Sequence, residues 1–133
     1  DWFINLDEKL VKNILGNIPL ENISFLKSSS LKIGDTRIIS NKNAIYKLVA
    51  HYLMNEKNSK QLPINDVCRF HLGNGAIIDD IVINANISEV GFKRSFGVMV
   101  NYLYELKNIE KNHEEYINKK TTIISNKVKK LIQ

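Results

Sequence analysis

Apolar residues recur along this chain at two spacings, and the change between them divides it into elements. Leu10, Val11, Ile14 and Leu15 share one face at helical period, Asp7 stands where an N-cap belongs, and Gly16 followed by Pro19 ends the run. Residues 17–40 show no sustained period; Ser28-Ser29-Ser30 and Gly34-Asp35 mark turns there. The strongest stripe runs from about 42 to 57, where Ile45, Leu48, Val49, Tyr52 and Leu53 follow i, i+3, i+4, i+7 and i+8, with Ser40 or Asn41 placed to cap it. Gln61-Leu62-Pro63 then interrupts the chain. Asn65 predicts the cap of a short helix through Asp66, Val67, Cys68, Arg69, Phe70 and His71, which Gly73 is placed to end.

Beyond that glycine the pattern turns to strands. Residues 76–85 and 97–106 are rich in β-branched and aromatic side chains, with Asn86-Ile87-Ser88-Glu89 as a turn between them. In the second segment, alternation sets Val98, Val100, Tyr102 and Tyr104 on one face and Met99, Asn101 and Leu103 on the other. Both faces are mostly apolar, which predicts a covered central strand. Residues 109–132 read as two helical stretches, the second carrying Ile124, Val128 and Leu131 on one face. Helices followed by strands and a closing helical region predict an α+β fold, a mixed sheet flanked by helices.

Composition narrows the class without naming a function. With 133 residues, 44% apolar and 25% charged, the chain is an ordinary globular domain rather than a disordered or fibrous one. No apolar run approaches the roughly 20 residues of a membrane-spanning helix, and the N-terminus lacks a secretory pattern, so no membrane partner is predicted and a cytoplasmic location is the expectation. The net charge of +5 comes from 16 Lys and 3 Arg dispersed along the chain. Aromatic residues do not interleave with them as in a single-strand groove, so nucleic acid is not a predicted partner. The first residue is not Met, which suggests a fragment, though processing or trimming gives the same start.

The chemistry-bearing residues are few. His51, His71 and His113 lie far apart and no His-x-x-x-His or Cys-x-x-Cys spacing occurs, so no metal is predicted. Cys68 has no cysteine to pair with and reads as a small buried hydrophobe. A Cys68–His71 dyad is sterically conceivable at i, i+3, but neighbouring helical turns rarely aim two groups at one substrate. Gly73-Asn74-Gly75 follows neither nucleotide-loop pattern and reads as a tight turn. His51 flanks an apolar stripe and His113 sits among Asn112, Glu114 and Glu115, so both read as surface histidines. His71 falls in the last turn of its helix, where the dipole favours a cation. Spacing alone leaves it open between a packed and a functional residue.

A resemblance changes that weighing. Val67-Cys68-Arg69-Phe70-His71-Leu72-Gly73-Asn74-Gly75-Ala76 resembles the Val-Ala-Arg-Phe-His-Leu-Gly-Asn-Gly-Ala segment of the malonyl-CoA decarboxylases, with one substitution in ten. Downstream, Gly97-Val98-Met99-Val100-Asn101-Tyr102-Leu103-Tyr104 is similar to that family's Gly-Leu-Met-Val-Asn-Tyr-Leu-Tyr, and Ile109-Glu110-Lys111-Asn112-His113-Glu114-Glu115-Tyr116 to its Ile-Glu-Ala-Asn-His-Glu-Ala-Tyr. Ala50-His51-Tyr52-Leu53 extends the likeness upstream; residues 1–40 match weakly. Asp66 stands where the family usually has proline, and Ile83-Asn84-Ala85 replaces a more typical Asn-Trp.

The resemblance implies the C-terminal part of a GNAT-like acyl-CoA domain that converts malonyl-CoA to acetyl-CoA and carbon dioxide, as a homo-oligomer and without metal or organic cofactor. It implies His71 as the catalytic histidine and Tyr104 as a tyrosine lining the same site; Tyr104 as a packed core aromatic remains the alternative. The family's catalytic serine lies in a Ser-Pro-Ile-Pro-Gly-Phe motif that these residues do not contain, so the chain is expected to begin just after it and to be inactive alone. Two other classes stay open: a GNAT-like acyltransferase, and a non-catalytic coenzyme A-binding module.

Overall fold

A computed structural model of the chain describes residues 2–28 and 31–133. Ser29 and Ser30, on which part of the turn expectation falls, lie outside the described residues. The order is α1 (Glu8–Leu15), two 3-10 turns (Leu20–Asn22 and Ser24–Lys27), α2 (Thr36–Ser40), α3 (Lys42–Asn55), α4 (Asp66–Gly73), β1 (Ile77–Val82), α5 (Glu89–Ser95), β2 (Met99–Leu103), a 3-10 turn (Leu106–Asn108), α6 (Ile109–Lys119) and α7 (Asn126–Leu131). This is an α+β fold. Two compact units compose it, one of residues 1–48 and 82–99, the other of 49–81 and 100–133.

Local caps explain most helix boundaries in the first unit. Asp7 accepts from the Lys9 N–H at 3.1 Å and starts α1, which buries Val11 and Leu15 and closes at Gly16 with φ +62. Asp35 starts α2 by accepting from the Arg37 N–H at 3.0 Å, and the Arg37 guanidinium beside it holds its carboxyl at about 2. Ser40 and Asn41, expected to cap α3, instead donate their side-chain hydrogen bonds back to Thr36 O and Arg37 O of α2. Helix α5 stands between the two strand segments, where only a turn at Asn86-Ile87-Ser88-Glu89 was expected. Ser88 caps it by accepting from the Gly91 N–H, and Phe92 is buried while Phe96 packs edge-on to Phe3 and Phe92.

The second unit carries the sheet. β1 and β2 pair antiparallel, and β1 also makes a parallel bridge from Ile78 to Ile124 through Ile78 N–H to Ile123 O and Ser125 N–H to Ile78 O. The expected mixed sheet is therefore two strands and one bridge. Both strands are shorter than predicted: Asn84, at φ +56, turns the chain out of β1, and β2 gives way to the 3-10 turn after Leu103. β2 is not a covered central strand either. Val100 and Tyr102 are half-buried, but Met99 and Leu103 are 44% and 39% exposed, so one face of the strand is open rather than covered.

Helix α4 begins as expected, with Asn65 Oδ1 accepting from the Cys68 N–H at 2.9 Å. It runs through Gly73 rather than ending before it, and the left-handed residue is Gly75, at φ +90. A Cβ at Gly75 would stand 2.5 Å from the Ile109 carbonyl oxygen, so glycine is required there by both conformation and space. Helix α6 clamps the same turn. Its buried Asn112 donates from Nδ2 to Gly75 O at 3.1 Å, and the His113 ring places Nδ1 2.6 Å from Gly73 O.

These contacts give two expectations for urea unfolding. Gly75→Ala costs about 3 kcal/mol, near the upper end for single substitutions, whereas Gly16→Ala, with open space around its Cβ, costs about 1 kcal/mol for the left-handed backbone alone. Asn112→Ala leaves Gly75 O buried without its donor and costs about 1–3 kcal/mol.

Candidate functional site

Two short elements of the second unit bring the site together. In α4, Cys68 and His71 are three residues apart and share a helix face; in β2 and the residue after it, Tyr102 and Tyr104 are two apart and share a strand face. The four side chains interlock. The His71 ring stacks on Tyr102 with centroids 4.4 Å apart and planes at 21°, while its Nδ1 lies 2.6 Å from the Tyr104 hydroxyl. Tyr104 meets the imidazole edge-on at 5.8 Å, and Phe70, 63% exposed, meets it edge-on at 5.2 Å. Among the described residues, no hydrogen bond engages His71 Nε2. The histidine and the tyrosine singled out in the sequence are thus hydrogen-bonded partners.

The layer under the imidazole is neutral. Cys68 is fully buried, and burial pushes its thiol up, against smaller opposing effects of the Tyr102 hydroxyl and the Lys57 ammonium. Burial also pushes the Tyr102 hydroxyl above the tyrosine range, and the adjacent thiol adds to the rise. Lys57 is lowered by burial and donates to Thr122 Oγ1 at 3.2 Å. A protonated, inaccessible thiol is a poor nucleophile, which removes the Cys68–His71 dyad.

The other histidines have structural partners. His51 lies 3.1 Å from the Asn55 side chain and 3.4 Å from Glu56 Oε1. His113, expected to be merely solvated, is exposed yet bonded to the Gly73 carbonyl. No group of three His, Cys, Asp or Glu side chains among the described residues could hold a metal ion, and none of their helices is long and apolar enough to cross a membrane. Sequence reasoning missed Tyr102 and His113 as parts of the site. The two-residue spacing of Tyr102 and Tyr104 was a usable signal for the first; nothing local announces the second.

Comparison with known proteins places the chain in one family. The family described as Malonyl-CoA decarboxylase C-terminal domain matches residues 4–133. Mitochondrial malonyl-CoA decarboxylase of Mus musculus is 30% identical across 99% of this chain and 27% of its own length. The crystal structure of malonyl-CoA decarboxylase from Cupriavidus metallidurans superposes with a TM-score of 0.76 at 28% identity, covering 98% of this chain and 35% of that one. The Rhodopseudomonas palustris enzyme gives 0.76 at 30% identity, over 92% and 30%. The chain thus spans about a quarter to a third of these relatives. Since the family match takes in α4, β2 and α6 together, the chain belongs to the malonyl-CoA decarboxylase C-terminal domain family.

Proposed function

We propose that this chain supplies the proton-delivering half of a site that decarboxylates malonyl-CoA to acetyl-CoA and carbon dioxide, within the C-terminal part of a GNAT-like acyl-CoA domain. The observation that supports it is the His71 imidazole with Nδ1 held by Tyr104 at 2.6 Å and Nε2 left for a ligand. Cleavage of the bond between the methylene and the carboxylate releases carbon dioxide and moves the bonding pair into the thioester, giving an enolate. The thioester carbonyl is itself the electron sink. What remains is to stabilise the oxyanion and protonate carbon. Imidazole is suited to the second task because it changes protonation near neutral pH. His71 delivers the proton to the methylene carbon, which takes it with the enolate pair, and solvent reprotonates the ring. Tyr104 orients the imidazole through Nδ1. A serine outside these 133 residues positions the malonyl carboxylate, and the exposed Phe70 ring offers an apolar wall beside His71.

The test is carbon dioxide release from malonyl-CoA by the protein's natural polypeptide. His71→Ala is expected to lower it at least about a hundredfold, the scale of a lost general acid. Tyr104→Phe, which keeps the ring and removes the bond to Nδ1, is expected to lower it about tenfold with malonyl-CoA binding retained. A folded wild type that binds malonyl-CoA and releases no carbon dioxide overturns the assignment in favour of a binding module. Undiminished release by His71→Ala removes the histidine from the mechanism.

A further inference from the structure

The hydrogen bond from Tyr104 does not by itself fix the imidazole. It holds one ring atom through a hydroxyl that can rotate, and the terminal torsion of a histidine is broad, so the ring could swing about that contact. A second constraint comes from Tyr102, whose ring lies nearly parallel to the imidazole at 4.4 Å. The Tyr102 ring thus rests on the histidine, and the buried Cys68 stands three residues and about 4.5 Å of helix rise earlier on the same face of α4.

We infer that Tyr102 is a positioning residue for His71, fixing the plane of the imidazole while Tyr104 selects which edge of it is engaged. The two constraints are separable. Stacking restricts the plane but accepts a 180° flip of the ring within it; the hydrogen bond distinguishes Nδ1 from the carbon opposite. Together they leave one orientation, with Nε2 as the nitrogen available to a substrate. Cys68 enters as a buried, neutral neighbour rather than as a reactive thiol. The relevance of this to proton delivery rests on the decarboxylase reading, but the orientation of the ring does not.

The test is a side-chain NMR measurement on the protein's natural polypeptide, labelled with nitrogen-15 at histidine. In the wild type the His71 ring protons are expected upfield of ordinary histidine positions, from the ring current of Tyr102, with two well-separated imidazole nitrogen signals reporting one tautomer. Tyr102→Phe keeps both signatures. Tyr102→Leu, with its backbone spectrum retained, loses the upfield displacement and draws the nitrogen signals together as the tautomers mix. Tyr104→Phe moves the nitrogen signals but leaves the protons upfield.

Ring protons at ordinary positions in the folded wild type overturn the inference without recourse to any variant, and so does a folded Tyr102→Leu chain with unchanged His71 signals. In the carbon dioxide assay, Tyr102→Leu is expected to lower kcat about ten- to a hundredfold at unchanged KM, with Tyr102→Phe restoring most of it. A wild type that releases no carbon dioxide sinks the decarboxylase reading alone, because the spectroscopic measurement decides the role of Tyr102 independently.

Discussion

Helix α6 holds the turn between α4 and β1, and the geometry around His71 depends on that grip. A helix ends with carbonyls that have lost their intrahelical donors, and α4 ends in a turn whose Gly75 is packed too tightly for water to serve as a substitute. Asn112 and His113 supply the donors for Gly75 and Gly73, from positions adjacent on one helix. The carbonyl of His71 meanwhile accepts from the N–H groups of Asn74 and Ala76, so the histidine's own backbone belongs to the clamped turn. The segments 67–76 and 109–116, both similar to the same family, are for this reason two sides of one hydrogen-bonded assembly.

Polarity is graded across the site. Cys68 and Tyr102 are held neutral by burial beneath the imidazole, while Tyr104 and Phe70 lie at the exposed side. A neutral floor offers no charge to compete for a proton on His71, and it excludes water from one face of the ring. The side of the ring that carries Nε2 is the one left open to a ligand among the described residues. The Lys57 ammonium, which favours the Cys68 thiolate electrostatically, donates its hydrogen bond to Thr122 Oγ1.

How much of this was readable in the sequence depends on how local the cause is. Asp7, Asn65 and Gly16 act within a turn of their helices, and α1 and α4 begin where those residues place them. Helix α5 was hidden because its apolar content is Val90 and Phe92 alone, with Gly91 between them; Ser88 as cap and Lys93-Arg94 in its last turn were the better signals. The exposed face of β2 was misjudged because alternation reports which residues share a face and not what covers it. The bond from His113 to Gly73 joins residues 40 apart, and the stack of His71 on Tyr102 likewise depends on how α4 meets β2, so no window along the chain contains either.

The arrangement of Tyr102 and Tyr104 also ties the site to strand register. Side chains alternate along β2, so a slip of one residue against β1 carries both tyrosines to the opposite face and presents Asn101 and Leu103 to α4 in their place. Leu103 has no hydroxyl for Nδ1, and Asn101 has no ring to lie under the imidazole. A misregistered sheet of this kind would keep its backbone hydrogen bonds and much of its apolar burial while losing every contact that orients His71. Correct strand pairing is thus a condition for the arrangement around His71 as well as for the fold, and insertion or deletion of a single residue between Val82 and Met99 is where the two would part company.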